Sequence, residues 1–149
     1  MAIRPALEFG GITDTLGARP IRAEWILEGQ PVARSRTLFT SADGTATMLV
    51  WDCTAGRFNW FYGIDESVYV VEGSVRLKDS NGNSRLVNAG DTVFFPAGSH
   101  AEWTVEKYVK KVAFLRSTVP APVAIGIRVF RRLWRLLPGA RNQSAPMFG

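Results

Sequence analysis

Through the middle of the chain, apolar side chains recur at every second position in short runs, and turn residues break the runs about every ten positions. That is the period of a pleated strand, in which successive side chains leave opposite faces. Residues 45–53 give the first clear strand, with Met48, Val50 and Trp51 as its buried side chains. Thr54-Ala55-Gly56 then predicts a turn into residues 57–62, whose aromatic rings fall on both faces and so suit a strand covered on two sides. Residues 66–77 read as one strand bent at Gly73, where a side chain would crowd the neighbour. Asn81-Gly82 predicts a hairpin, because both residues accept positive φ. Residues 85–87 return from it, and Asn88-Ala89-Gly90-Asp91 turns the chain into a strand at 92–95. Residues 103–105 and 109–115 supply the last strands. Short strands at this spacing predict a closed or sandwiched antiparallel sheet.

The flanks have a different character. Residues 1–24 show no period and are read as an irregular arm. Residues 25–29 predict a short strand or turn, residues 32–38 an edge strand, and Asp43-Gly44 a turn. From Pro120 the apolar period lengthens to that of a helix over residues 123–137, which Pro138-Gly139 ends.

At 149 residues, 46% hydrophobic and 21% charged, the chain fits one globular domain with a real core. A single cysteine excludes an internal disulfide framework and predicts a reducing compartment. The first residues lack the apolar run of a signal peptide, and no apolar stretch nears the roughly 20 residues of a spanning helix. A cytoplasmic location follows as the expectation, with peripheral membrane attachment as its variant. The net charge of +5 is unevenly placed. Residues 1–106 carry 9 basic and 13 acidic side chains, a balance of −4, while residues 107–149 carry 9 basic and no acidic ones, a balance of +9. The basic character therefore belongs to the C-terminal part of the chain.

Two glycine-bounded spacings add a family resemblance. Glu66 is followed after six residues by Gly73, and Gly90 after five residues by Pro96 and then Gly98. These spacings resemble the two motifs of the cupin superfamily. Residues 25–29, Asp43-Gly44, residues 51–58 and Phe95-Pro96-Ala97-Gly98 are similar to the branch of ureidoglycine aminohydrolase-like and ethanolamine-utilisation cupins. The resemblance covers residues 24–116. It implies an all-β fold, a single double-stranded β-helix (jelly-roll) barrel over 24–116, which the residue pattern flanks with an irregular N-terminal arm at 1–23 and a C-terminal basic amphipathic helix and tail at 117–149. It also implies a homodimer, with which strands apolar on two sides are compatible.

Metal-binding cupins take two histidines and a glutamate from the first motif and a histidine from the second. Here the positions before Glu66 hold Asn59 and Phe61, or Trp60 and Tyr62, and the whole chain has one histidine. A three-histidine site cannot be built, so no metal is expected. The one conceivable divalent-metal set is Glu66, His100 and Cys53 with Asp65 nearby. His100 falls one residue before the position of the family's ligand, Ala101, and the alternation of a strand turns it toward the outer rim.

What remains is a carboxylate among aromatic rings. Glu66 is the candidate catalytic residue, as general base or as holder of an amine or amide; as a structural group it would pair with Tyr62 and with Lys110 or Lys111. Trp51, Trp60, Tyr62, Phe94, Trp103 and His100 are the candidate ligand-binding residues, and for most of the aromatics core packing is the competing role. Cys53 reads as an inert buried thiol. The expectation is a cupin that binds a small polar ligand in the barrel mouth without the usual metal site. The first alternative is an aminohydrolase-like enzyme acting on a ureide or amine.

The second alternative rests on the tail. Arg128, Arg131, Arg132 and Arg135 form one helical stripe, with Phe130, Leu133, Trp134 and Leu137 on another face. Such a helix suits an anionic membrane surface, a partner groove, or docking on the domain or a second subunit. No motif for reading nucleic acid accompanies it.

Overall fold

The computed structural model describes residues 6–134, and the chain divides after Thr118 into two units. The first unit holds β1 (Gly17–Ala18), β2 (Ile26–Glu28), β3 (Ala33–Thr40), β4 (Ala46–Phe61), β5 (Asp65–Asp79), β6 (Ser84–Asn88), β7 (Thr92–Phe95) and β8 (His100–Arg116). The second holds α1 (Ala121–Trp134).

All strand pairs are antiparallel, and the hydrogen-bonded path runs β1-β3-β4-β8-β5-β6, with β2 also on β4 and β7 also on β5. The long strands β4, β8 and β5 share a fold line. Register slips between Thr54 and Gly56 of β4, opposite Val105 to Tyr108 of β8, and again around Gly73 of β5. These irregularities let the sheet double over so that its halves pack face to face. Each slip in β4 and β5 also swaps which side chains point inward. In β4 the inward residues are Trp51 and Cys53 before the bend, and Phe58 and Trp60 after it. In β5 they are Glu66, Val68 and Val70 before it, and Val75 and Leu77 after it. Without the swap, one half of each strand would turn its apolar set to solvent.

Two expectations change here. Thr54-Ala55-Gly56 is a bend inside one continuous strand, not a turn between two, and residues 103–105 and 109–115 likewise belong to the single strand β8. The closed barrel is also corrected. The path ends at β1 and β6, which do not pair, so the cupin-like jelly-roll sheet remains open among the described residues. The physical reason is that β6 and β7 lie on the same edge of β5, one on each side of its bend, and each keeps an unpaired outer edge. Side-chain packing joins the two halves where closure would have used backbone hydrogen bonds.

The predicted turn at Asp43-Gly44 and hairpin at Asn81-Gly82 are present, with Asp43 and Asp79 accepting hydrogen bonds from the backbone of their own turns. The interior is largely aromatic. Trp51 packs edge-on against Phe58, Trp60 and Trp103 at centroid distances of 6.4, 6.0 and 5.6 Å, and Phe58 stacks on Trp103. Such pairs contribute about 0.5–1.5 kcal/mol each beyond the area they bury.

Helix α1 begins after Pro120, whose carbonyl accepts the N–H groups of Val123 and Ala124, and carries Pro122 in its first turn, where a missing N–H costs little. None of its residues is buried. Arg128, Arg131 and Arg132 lie within it, whereas Arg135, Leu137 and the stop at Pro138-Gly139 lie outside the described residues.

The fold line yields a test. Gly73 has φ of 72°, and a Cβ there would land on the backbone carbonyl of Tyr108, so backbone would have to shift. Gly73→Ala is expected to cost more than about 3 kcal/mol in urea unfolding, through both backbone strain and overlap. A variant with the wild-type midpoint would show that the bend does not depend on this approach.

Candidate functional site

The doubled sheet brings one acid and one base together in its interior. Glu66 lies at the inward start of β5, and Lys111 interrupts the inward row Val109, Ala113 of β8. Lys111 Nζ donates to Glu66 Oε1 at 2.6 Å, and both side chains are buried, at 6% and 8% exposure. The ammonium sits 4.9 Å from the ring centre of Trp51 and 4.7 Å from that of Trp103, so two indole faces flank it. The carboxylate offsets the loss of hydration that would otherwise exclude a charged lysine from this space. Lys110, one residue away, faces the opposite side of the sheet beside Asp52 and Glu72.

The predicted site residues separate into two groups. Trp51, Tyr62 and Trp103 are buried around the pair, and Trp60 packs half-buried beside them. Tyr62 does not bond Glu66; its hydroxyl accepts from Trp103 Nε1 at 3.1 Å while its ring stacks on Phe95 at 4.2 Å. The indole N–H of Trp51 has no hydrogen-bond partner among the described residues, an unspent donor in the interior. Phe94 and His100 lie away from the pair, and both line a groove between β6 and β7. Phe94 is 58% exposed on the outer face, and its neighbour Phe95 points inward instead, opposite Glu66. His100 is exposed and stacks on Phe61, while Ala101 takes the interior position. Sequence reasoning missed Phe95 and left Lys110 and Lys111 as alternatives. The signal for Lys111 was parity, since it shares its face with Val109 and Ala113.

The residues do not fit the metal site that metal-binding cupins carry. Among the described residues no three His, Cys, Asp or Glu side chains converge. The set Glu66, His100, Cys53 and Asp65 is dispersed: Asp65 accepts the N–H of Ala97 at 3.0 Å, Cys53 Sγ donates to the Thr54 carbonyl, and His100 lies outside. The one inward carboxylate is already engaged by a fixed cation.

The open sheet creates a groove of about 580 Å³ between β6 and β7. Leu77, Val87, Phe95 and Ala101 form its apolar floor, and Asn81, Asn83, Arg85 and His100 stand on its polar rim. Neither Glu66 nor Lys111 lines the groove, and Phe95 alone is common to the groove floor and the register opposite Glu66.

Burial controls the other ionisable groups. The Cys53 thiol is pushed up from 9.0 to about 12 by burial and then by the charge of Asp52, with Lys111 opposing. Burial likewise pushes the Tyr62 hydroxyl well above 10.0, the charge of Glu66 adding to it. On the outer face Tyr108 rises to about 12 through burial and its hydrogen bond to Asp52, which Arg34 also grips.

Residues 40–113 match the EutQ-like cupin domain. No curated protein matches the chain. Among solved structures, a protein of unknown function from Pseudomonas syringae pv. tomato is 32% identical over 70% of this chain, with a TM-score of 0.65, and the chain spans 46% of that protein's length. The EutQ protein of Clostridium difficile is 22% identical over 58% of this chain and 69% of its own, with a TM-score of 0.53. The polyketide cyclase RemF from Streptomyces resistomycificus is 19% identical over 77% of this chain and 82% of its own, with a TM-score of 0.57. At the latter two identities the likeness is one of fold.

Three outcomes follow from this geometry. Lys111→Met strands a buried carboxylate and should cost about 3–5 kcal/mol, whereas Lys111→Met with Glu66→Leu should recover most of that loss; strictly additive singles in denaturant unfolding would mean the pair is not coupled. Cys53 should resist a thiol-reactive disulfide reagent at pH 8 until the protein unfolds, and rapid labelling of folded protein would place the thiol outside the core. For Cys53, Tyr62 and Tyr108 the folded values lie above the ordinary ones, so their stabilisation is complete below pH 9 and is lost as pH rises toward 12. Urea midpoints should fall across that alkaline window, and a flat profile would contradict the assignment.

Proposed function

The chain belongs to the cupin superfamily, and from that premise we propose that it binds a small organic ligand through the groove between β6 and β7, using the Glu66–Lys111 pair where metal-binding relatives use histidines. The observation that carries this reading is the lysine ammonium held at 2.6 Å from Glu66 between Trp51 and Trp103. That arrangement supplies a positive charge, a carboxylate and planar walls together, as a small polar molecule with an apolar or planar part requires. The groove floor suits the apolar part, the rim offers amide, guanidinium and imidazole groups, and the unpartnered Trp51 N–H remains available for a polar atom or a water. The lone buried cysteine is in keeping with work in the cytoplasm. No helix among the described residues is long and apolar enough to cross a membrane.

A second reading is favoured by the same pair. Lys111 bonds one oxygen of Glu66, so the other is left for a substrate, and Glu66 would serve as general base on a ureide or amine in the manner of an aminohydrolase. Undiminished turnover in Glu66→Gln, once an activity is found, would remove it.

Native mass spectrometry of gently purified protein tests the first reading. The expected result is a retained organic mass without a stoichiometric transition metal, and its loss in Val93→Trp, which fills the groove wall. A stoichiometric transition metal, or a retained ligand indifferent to Val93→Trp, would contradict it.

A further inference from the structure

Helix α1 is built unlike a helix meant for water. Residues 117–149 contain five arginines and no acidic side chain, and three of the arginines, Arg128, Arg131 and Arg132, share one stripe of α1. The opposite face carries Val123, Ile127, Phe130, Leu133 and Trp134. None is buried: Phe130 is 61% exposed, Leu133 58% and Trp134 55%. Phe130 and Trp134 pack on each other at 5.6 Å, so the C-terminal end of the described helix presents a contiguous aromatic surface. A helix of 14 residues with Gly126 in its interior is marginal by itself in water, at or near the lower limit of about 12–15 residues for isolated helices. Its apolar face needs a cover.

We propose that the cover is an anionic phospholipid surface, on which α1 lies flat with its arginines among the headgroups and its Phe, Leu and Trp side chains at the acyl boundary. Charge selects this occupant. A second copy of the helix would bring another arginine stripe and no acid from its own segment to neutralise it, whereas anionic headgroups pair with guanidinium forks and leave the apolar face to the lipid. The described part of the helix is too short to span instead, because its 14 residues reach about 21 Å against a hydrocarbon core of about 30 Å. Aromatic side chains beside arginines are the composition that holds a helix in the interface plane.

Flotation of the full-length chain with phosphatidylcholine vesicles, with and without phosphatidylserine, tests the proposal. Binding should require phosphatidylserine at low salt and weaken as salt rises. Each arginine near the surface is worth about five-fold in partitioning, so Arg128→Gln with Arg131→Gln and Arg132→Gln should lower it roughly a hundredfold. Phe130→Ser with Trp134→Ser keeps the charge and should also release the protein, with thermal unfolding of the sheet unit unchanged in both variants. Absence of binding, equal binding to neutral vesicles, or binding indifferent to both variants would overturn the proposal. So would self-association in sedimentation that Phe130→Ser with Trp134→Ser abolishes while no vesicle binding is seen, which would assign the helix face to a second copy.

Discussion

A lysine ammonium inside an aromatic interior is tolerated only when something there compensates for its lost hydration, and in this fold Glu66 does so at 2.6 Å. The constraint is mutual. Glu66 stands at the position from which cupins that bind metal supply a carboxylate, and without a cation it would be a stranded charge. Lys111 brings the cation on its own side chain, from the strand next to β5 in the sheet. The flanking faces of Trp51 and Trp103 add attraction from their π-systems and keep water at a distance. Charge balance in the interior is thus covalently tethered.

The placement of that pair depends on the doubled sheet. β5, β8 and β4 bend along one line, and because the register slips there, both halves of β4 and β5 can turn apolar side chains inward. Gly73 is what allows β5 to pass over Tyr108 at this line. The same geometry leaves β6 and β7 as separate edges on β5, and the gap between them is the groove. An unclosed sheet is therefore what leaves this groove open, with Phe95 in its floor.

The strand pattern, the two hairpins, the bend at Gly73 and the cupin character were legible in the sequence because each rests on local chemistry: alternation, Asn-Gly or Asp-Gly turns, and a glycine where backbone approaches backbone. Closure was not legible, because whether two edges meet depends on the relative placement of β6 and β7, which no local pattern encodes. Thr54-Ala55-Gly56 was misread as a turn for a related reason, since a bulge and a turn use the same small residues. At the site, parity alone separates neighbouring positions on one strand. His100 is exposed at the rim, as strand alternation predicts, Phe94 lines the groove, and Phe95 is the residue opposite Glu66. Lys110 and Lys111 differ only in parity, and the reading lacked the register that separates them. Most of the chosen aromatics proved to be packed around the pair, with rings serving at once as core and as wall.

A high-resolution crystal structure of natively purified protein, with anomalous scattering measured across the transition-metal edges, tests the tethered cation most directly. The account predicts Lys111 Nζ within hydrogen-bonding distance of Glu66 and no anomalous peak beside the carboxylate. Lys111 turned away, with an anomalous peak bound to Glu66 and other protein atoms, would contradict it.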